Sequence, residues 1–198
     1  MIILWTLLSF LCGSLMFSYW LGLLAHHNLQ EHDDGNPGAM NLWRTAGYVY
    51  GIAGVALDFG KGYAVVLWLI HAGHVSGYGM VPPAAGALLG HAFSPFMRWK
   101  GGKAIAVTFG VWSALTGFEA SLAYAVILAL LLASAWIYGK GKPPSSDTDG
   151  FQVVLGMLLL SGYLAYGSYD MGILTIWLIN FVLLVYTHRK ELVRWYKD

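Results

Sequence analysis

Long apolar runs separated by short polar strings divide the chain into seven segments, at about residues 2–25, 46–73, 81–97, 104–117, 119–139, 151–168 and 170–188. A full membrane crossing needs roughly twenty apolar residues, so the third and fourth segments are short for the task. They are expected to be tilted, broken or re-entrant, which is tolerated where backbone lines a protein cavity. Short segments beside charged strings point to a site. The first segment has neither a charged leader nor an evident cleavage motif, and similar segments follow it, so it is expected to be a retained helix rather than a signal peptide. The pattern predicts an all-α, polytopic integral membrane protein with seven transmembrane helices. A single membrane-embedded domain over residues 1–198 is expected, since no second domain or internal repeat is visible.

Charge adds a direction. The Lys and Arg residues are Arg44, Lys61, Arg98, Lys100, Lys103, Lys140, Lys142, Arg189, Lys190, Arg194 and Lys197. They fall in or beside alternate gaps between the apolar runs, with Lys61 set inside one. The other connections hold Gly77, Tyr78, Gly79, Glu119 and Asp170 and no cation. Positive residues are retained on the cytoplasmic side of a bilayer. An odd number of crossings with a basic tail therefore predicts the N-terminus outside and the C-terminus in the cytoplasm, with the cytoplasmic face as the chemical face.

Composition narrows the function classes. With 58% hydrophobic and 11% charged residues and nine Trp, the chain has more apolar surface than a soluble core of 198 residues uses. A formal net charge of +1 argues against nucleic-acid binding, which calls for a strongly basic balance. Any anion must be met by local charge. The one cysteine, Cys12, excludes an intramolecular disulfide and a zinc framework built on several thiolates, and reads as a small apolar residue. No metal site is expected.

Three polar strings carry candidate chemistry. In the first, Glu31 to Arg44, Gly35-Asn36-Pro37-Gly38 is a turn signal whose glycines permit close backbone approach to a ligand. A helix starting at Ala39 would put Asn41 and Arg44 on one face. Arg supplies planar, permanently charged donors for phosphate or carboxylate. Taken alone, the string reads equally as a surface turn with a snorkelling Arg. The second, Asp58-Phe59-Gly60-Lys61-Gly62, lies inside an apolar segment, where ionised groups are paired or functional. Asp58 and Lys61 can pair at i, i+3, either at a site or as a stitch between helices. The third runs from Gly90-His91 through Arg98-Trp99-Lys100 to Gly101-Gly102-Lys103-Ala104. Its two glycines can expose backbone N–H groups just before a helix whose positive end favours an anion. It is not a Walker A loop, because the preceding glycine and the Ser or Thr after Lys are missing. A membrane-edge anchor is the competing reading, and His91 alone is more often a packing residue than a base.

Together the strings resemble those of the integral-membrane PlsY-type acyl-phosphate:glycerol-3-phosphate acyltransferases. The likeness runs from Gly13-Ser14 through Gly35-Asn36-Pro37-Gly38-Ala39-x-Asn41-x-x-Arg44, Asp58-x-x-Lys61-Gly62, Gly90-His91-x-Phe93 and Gly101-Gly102-Lys103-x-x-Ala106 to His188-Arg189. It implies transfer of a fatty acyl group from acyl phosphate to the 1-hydroxyl of glycerol 3-phosphate, giving lysophosphatidic acid and phosphate in membrane phospholipid synthesis. It implies no nucleotide or flavin cofactor, and a bacterial-type inner (plasma) membrane location. The substrate-binding set expected from the strings and the resemblance is Asp34, Gly35, Asn36, Gly38, Asn41, Arg44, Lys61, Gly101, Gly102 and Lys103. Arg44, Lys61 and Lys103 are expected to neutralise phosphate, and Asn36, Asn41 and the Gly101-Gly102 amides to orient it. The catalytic candidates are Lys103 with His91 or His188, either histidine being able to assist deprotonation of the acceptor; the bound phosphate is a third option. An acyl phosphate is already activated, so positioning and charge stabilisation suffice without a covalent intermediate.

The chain also departs from this family. Asp34 stands where a serine is usual, and a carboxylate there repels phosphate unless a cation or proton intervenes. It either turns away, is compensated, or changes the chemistry by contacting another acceptor, acting as a base, or holding a divalent metal with Asp33. An N-capping Asx turn is the plain alternative. Ser145 and Ser146 are poor stand-ins for the family's serine string before the sixth segment. In the tail, Glu191 replaces an expected amide and the chain stops at Asp198. These departures keep three other readings open: an acyl-phosphate transferase with a different acceptor, a transporter or binding protein for phosphate or a lipid precursor, and a catalytically silent relative. Oligomeric state is not legible.

Overall fold

The computed structural model describes residues 1–197; Asp198, where the tail stops, lies outside the described residues. Among the described residues the structure is helical, with no strand. The helices are α1 (Ile2–Ser14), α2 (Phe17–Leu24), α3 (Ala39–Ala46), α4 (Tyr48–His71), α5 (Val81–Ala92), α6 (Ile105–Thr116), α7 (Glu119–Tyr138), α8 (Ser146–Tyr166), α9 (Met171–Thr187) and α10 (Arg189–Lys197). Among the described residues, four stretches are long and apolar enough to cross a membrane: Ile2–Leu24, Tyr48–His71, Glu119–Tyr138 and Ser146–Tyr166. A fifth is reached if α9 and α10, bent by 63° at His188, count as one.

The first apolar segment, expected as one helix, is broken. Leu15 is extended, with φ −63° and ψ 122°, and separates α1 from α2. A break inside an apolar bundle frees carbonyls that must find donors. Here Ser94 Oγ donates to Ser14 O at 2.7 Å, and the Lys61 ammonium donates to Leu15 O. The third and fourth segments are short as anticipated. Twelve residues in each of α5 and α6 give about 18 Å of helix, well under a hydrocarbon core of about 30 Å.

Close helix approach compensates for the weak drive that apolar helices have to associate in lipid. Helix α1 packs along α5, and α4 along α6. A Cβ on Gly13 would collide with the Ala87 carbonyl, and one on Gly90 with the Phe10 carbonyl, so backbone meets backbone at this seam. Polar side chains lock other seams. Trp112 Nε1 donates to Asn180 Oδ1 at 2.9 Å, and Asn180 Nδ2 donates to Thr108 Oγ1 at 3.1 Å, joining α6 to α9.

Two elements lie beyond the apolar pattern. Helix α8 begins at Ser146, several residues before the apolar run, because Ser145 Oγ caps it by accepting from Thr148 N at 3.2 Å. Helix α10 folds the basic tail back onto α8. The Arg194 guanidinium donates to both Asp147 oxygens, and Phe151 stacks on Trp195 with ring centres 3.7 Å apart. Helix α10 thereby packs against α8 and the end of α9 at one end of the bundle.

Candidate active site

The segment between α2 and α3 is built by backbone hydrogen bonds and one buried amide. Gly35 N donates to His32 O at 2.9 Å, and Gly35 itself takes φ +73°, the left-handed turn that glycine adopts without steric cost. Gly38 is extended and precedes the first residue of α3. Asn41, on that helix, donates from Nδ2 to Leu29 O at 2.9 Å, His32 O at 3.1 Å and Asn36 O at 3.0 Å. Two N–H groups serve three carbonyls, so the amide's donors are consumed in tying the loop down, while its Oδ1 is buried without a hydrogen-bond partner.

This loop, α3, the approach to α6, the middle of α7, the first turns of α8 and the end of α9 enclose a cavity of about 380 Å³. One wall is polar: Asp33, Asp34, Asn36, Asn41, Arg44 and Lys103. A second carries Ser146, Asp149, Gln152 and His188, and an apolar side is made by Met40, Ile105, Leu128, Leu132 and Val153. The volume falls in the range of small-molecule sites, and a lining of both charged and apolar residues suits an amphiphile.

Both cations on the wall have acidic partners. Arg44 pairs with Asp33, and these side chains are 47% and 42% exposed. Lys103 Nζ lies 2.5 Å from Asp34 Oδ2 and 3.0 Å from Glu191 Oε1. Asp34 also accepts the Asn36 N–H on Oδ1 at 3.0 Å, so it is at once the Asx turn and the partner of Lys103. Burial works to raise the Asp34 carboxyl, but the Lys103 ammonium and the Asn36 N–H outweigh it and hold the group below its ordinary value. Burial works to lower the Lys103 ammonium, and the Asp34 and Glu191 contacts hold it above the ordinary lysine value instead. Both groups are therefore ionised at neutral pH.

His188 sits at the end of α9, 2% exposed, with Nδ1 at 2.9 Å from Leu184 O and 3.2 Å from Thr187 Oγ1. A carbonyl only accepts, so Nδ1 carries the proton in that contact. In a neutral ring Nε2 is then the basic nitrogen.

A second ionic cluster is sealed within the bundle. Asp58 and Lys61, each side chain 1% exposed, are paired at 2.7 Å. Ser18 Oγ donates to Asp58 at 2.5 Å, and His91 Nδ1 lies 2.8 Å from Lys61 Nζ. With the Leu15 carbonyl, the ammonium has three partners, matching its three donors.

The structure thus brings Asp34, Asn36, Asn41, Arg44, Lys103 and His188 to one cavity, and keeps other expected site residues out of its wall. Lys61 and His91 belong to the sealed cluster, because the break after α1 needs a donor there. Gly101 N and Gly102 N do not stand open to an anion: they donate to Ala92 O at 3.0 Å and His91 O at 3.1 Å, closing the end of α5. Gly35 and Gly38 shape the loop without lining the cavity. Asn41 lines it, but its N–H donors are spent on the loop. Glu191 and Asp149 were absent from the sequence-based site. Glu191 is 3% exposed, and its only signal was its place as an acid where an amide was expected. The apolar side had no signal, because its residues are indistinguishable in sequence from bilayer-facing ones.

The fold and site define a helical, membrane-type bundle whose cavity presents both charged and apolar groups. The chain matches the profile of the family described as glycerol-3-phosphate acyltransferase over residues 3–198. It belongs to that family. A relative from Thermotoga maritima, "Glycerol-3-phosphate acyltransferase 1", is 36% identical over 96% of this chain and 95% of its own length. One from Streptococcus pneumoniae, "Glycerol-3-phosphate acyltransferase", is 33% identical over 95% and 86%. The crystal structure of PlsY (YgiH), an integral membrane glycerol 3-phosphate acyltransferase, in its glycerol 3-phosphate form superposes with a TM-score of 0.82 at 22% identity, covering 99% of this chain and 92% of that one. At that identity the likeness establishes the shared fold.

Proposed function

We propose that this chain transfers a fatty acyl group from acyl phosphate to the 1-hydroxyl of glycerol 3-phosphate, releasing phosphate and forming lysophosphatidic acid. The observation that carries the reading is the convergence of Arg44, Lys103 and His188 on one cavity with an apolar side, in a member of this family. Arg44 and Lys103 hold phosphate groups, and Asn36 adds an orienting hydrogen bond. The apolar side formed by Leu128, Leu132 and Val153 receives the start of the acyl chain. The acceptor oxygen attacks the acyl carbon, the bond from that carbon to the phosphate oxygen breaks, and phosphate leaves with both electrons. The hydroxyl proton passes to His188 Nε2 or to the departing phosphate. Cations beside the leaving group and the developing oxyanion stabilise charge where it appears. Asn41 is a positioning residue, acting through the loop that carries Asp33, Asp34 and Asn36.

The same reading places the chain in a bacterial-type cell membrane as one domain. Seven crossings are counted from α1 with α2, then α4, α5, α6, α7, α8 and α9. The N-terminus is outside, and the cavity opens on the cytoplasmic face. The cation distribution supports this orientation. The purified protein given palmitoyl phosphate and glycerol 3-phosphate tests it: mass spectrometry should find lysophosphatidic acid with stoichiometric phosphate release. Folded protein that releases no phosphate above background would refute the activity.

A further inference from the structure

Each cation of the cavity is already held by an acid of the protein, and two of those acids are neighbours in sequence. Asp33 pairs with Arg44, and Asp34 with Lys103. The dipeptide stands on a loop fastened by Asn41, with Asp33 in the left-handed region at φ 51°. From the opposite side Glu191 places Oε1 on Lys103, while its Oε2 is buried with no hydrogen-bond partner. That oxygen is an acceptor the protein leaves without a donor, on the same carboxyl group that contacts Lys103. Arg194 approaches Glu191 Oε1 only to 3.6 Å, and its guanidinium is committed to Asp147. A phosphate entering the cavity therefore meets two cations already shared among three carboxylates.

We propose that Asp33 and Asp34 act as an internal anion occupying the phosphate-binding cations, and that Asp34 with Glu191 sets the affinity for acceptor phosphate. Phosphate binds by displacing carboxylates from Arg44 and Lys103 rather than by filling an empty cationic pocket. The consequence is an acceptor site of weak affinity whose strength is tuned by the protein's own acids. The proposal rests on the glycerol 3-phosphate reading for its acceptor, but the competition it describes concerns any phosphate.

The geometry supplies clean variants. Asp34→Asn removes the charge and keeps an oxygen to accept the Asn36 N–H. Asp33→Asn suits the left-handed backbone, which Asn tolerates. Glu191→Gln keeps shape and loses charge. The full-length protein in detergent is titrated with inorganic phosphate by calorimetry, and kcat and KM for glycerol 3-phosphate are measured with palmitoyl phosphate as donor. Asp34→Asn and Glu191→Gln should each lower the phosphate Kd and the acceptor KM by about tenfold, the scale of one charge-assisted contact, with kcat changing much less. Asp33→Asn should do so by a smaller factor. A merely structural role would shift thermal stability without tightening phosphate. Phosphate Kd unchanged within about twofold in both Asp34→Asn and Glu191→Gln overturns the proposal. Tighter phosphate binding in protein that never forms lysophosphatidic acid supports the competition and refutes the assigned reaction, so the two failures are distinct.

Discussion

Lys61 and Lys103 begin from similar sequence signals, each a lysine beside glycine at the edge of a short polar string, and each is met by a carboxylate. Their surroundings separate them. Lys61 has three partners inside the bundle and 1% of its side chain exposed, and one partner is a carbonyl freed by the break after α1. Lys103 is 19% exposed at a cavity wall, and its acids come from a loop 69 residues away and a tail helix 88 residues away. An ammonium whose three donors are all used by the protein is part of the scaffold. One that has two carboxylate partners and borders open space can exchange a partner for a ligand. The two lysines differ in what surrounds each ion pair rather than in the pair itself.

Substitution should divide the two lysines by kind of effect. Lys61→Ala leaves Asp58 as an uncompensated buried charge, which costs about 3–5 kcal/mol, a large share of a typical stability of about 5–15 kcal/mol. Thermal unfolding in detergent should show a sharply lowered midpoint. The paired change Asp58→Asn with Lys61→Met should recover part of it; a midpoint near the parent in Lys61→Ala would remove the scaffold role. Lys103→Ala and Arg44→Ala should instead cut turnover about 10³-fold in protein that still unfolds cooperatively, the loss expected for one preorganised charge-stabilising contact. Parent-level turnover in both would sink the assignment of the cavity as the phosphate site.

The histidines extend the contrast at smaller scale. His188→Gln should lower kcat by about 10²-fold, the low end of general-base contributions. His91→Gln should change stability more than kcat, because His91 touches Lys61 and not the cavity. A larger kcat loss at His91 than at His188 would reverse the assignment of the base. The smallest perturbation is a cysteine placed at Ser76 or at Ser145 in a Cys12→Ser background. Turnover should stay near the parent, and membrane-impermeant labelling should reach the two positions from opposite sides. Reaction of both from one side would break the proposed orientation.

Much of the fold was legible from apolar runs, because helices in a bilayer must satisfy their own backbone hydrogen bonds and need long apolar stretches. The short α5 and α6, the start of α3 at Ala39, and the Asp58–Lys61 pair all follow from local spacing. The break at Leu15 was not legible, since nothing in a continuous apolar run marks it; a lysine 46 residues away satisfies the carbonyl it frees. The tail helix α10 was missed because its partners, Asp147 and Phe151, are distant in sequence.

The site divides the same way. Sequence alone determined a helical membrane-type chain, the strings that carry its chemistry, and the conflict posed by an acid at Asp34. These depend on residue type and on spacings within a few turns of helix. Only the tertiary structure decided that the Gly101 and Gly102 amides are spent on α5, that Lys61 and His91 lie outside the cavity wall, and that Asp34 and Glu191 meet on one ammonium. Whether a charge is compensated depends on groups brought within a few ångströms by packing, and Coulomb interactions read that distance, not separation along the chain.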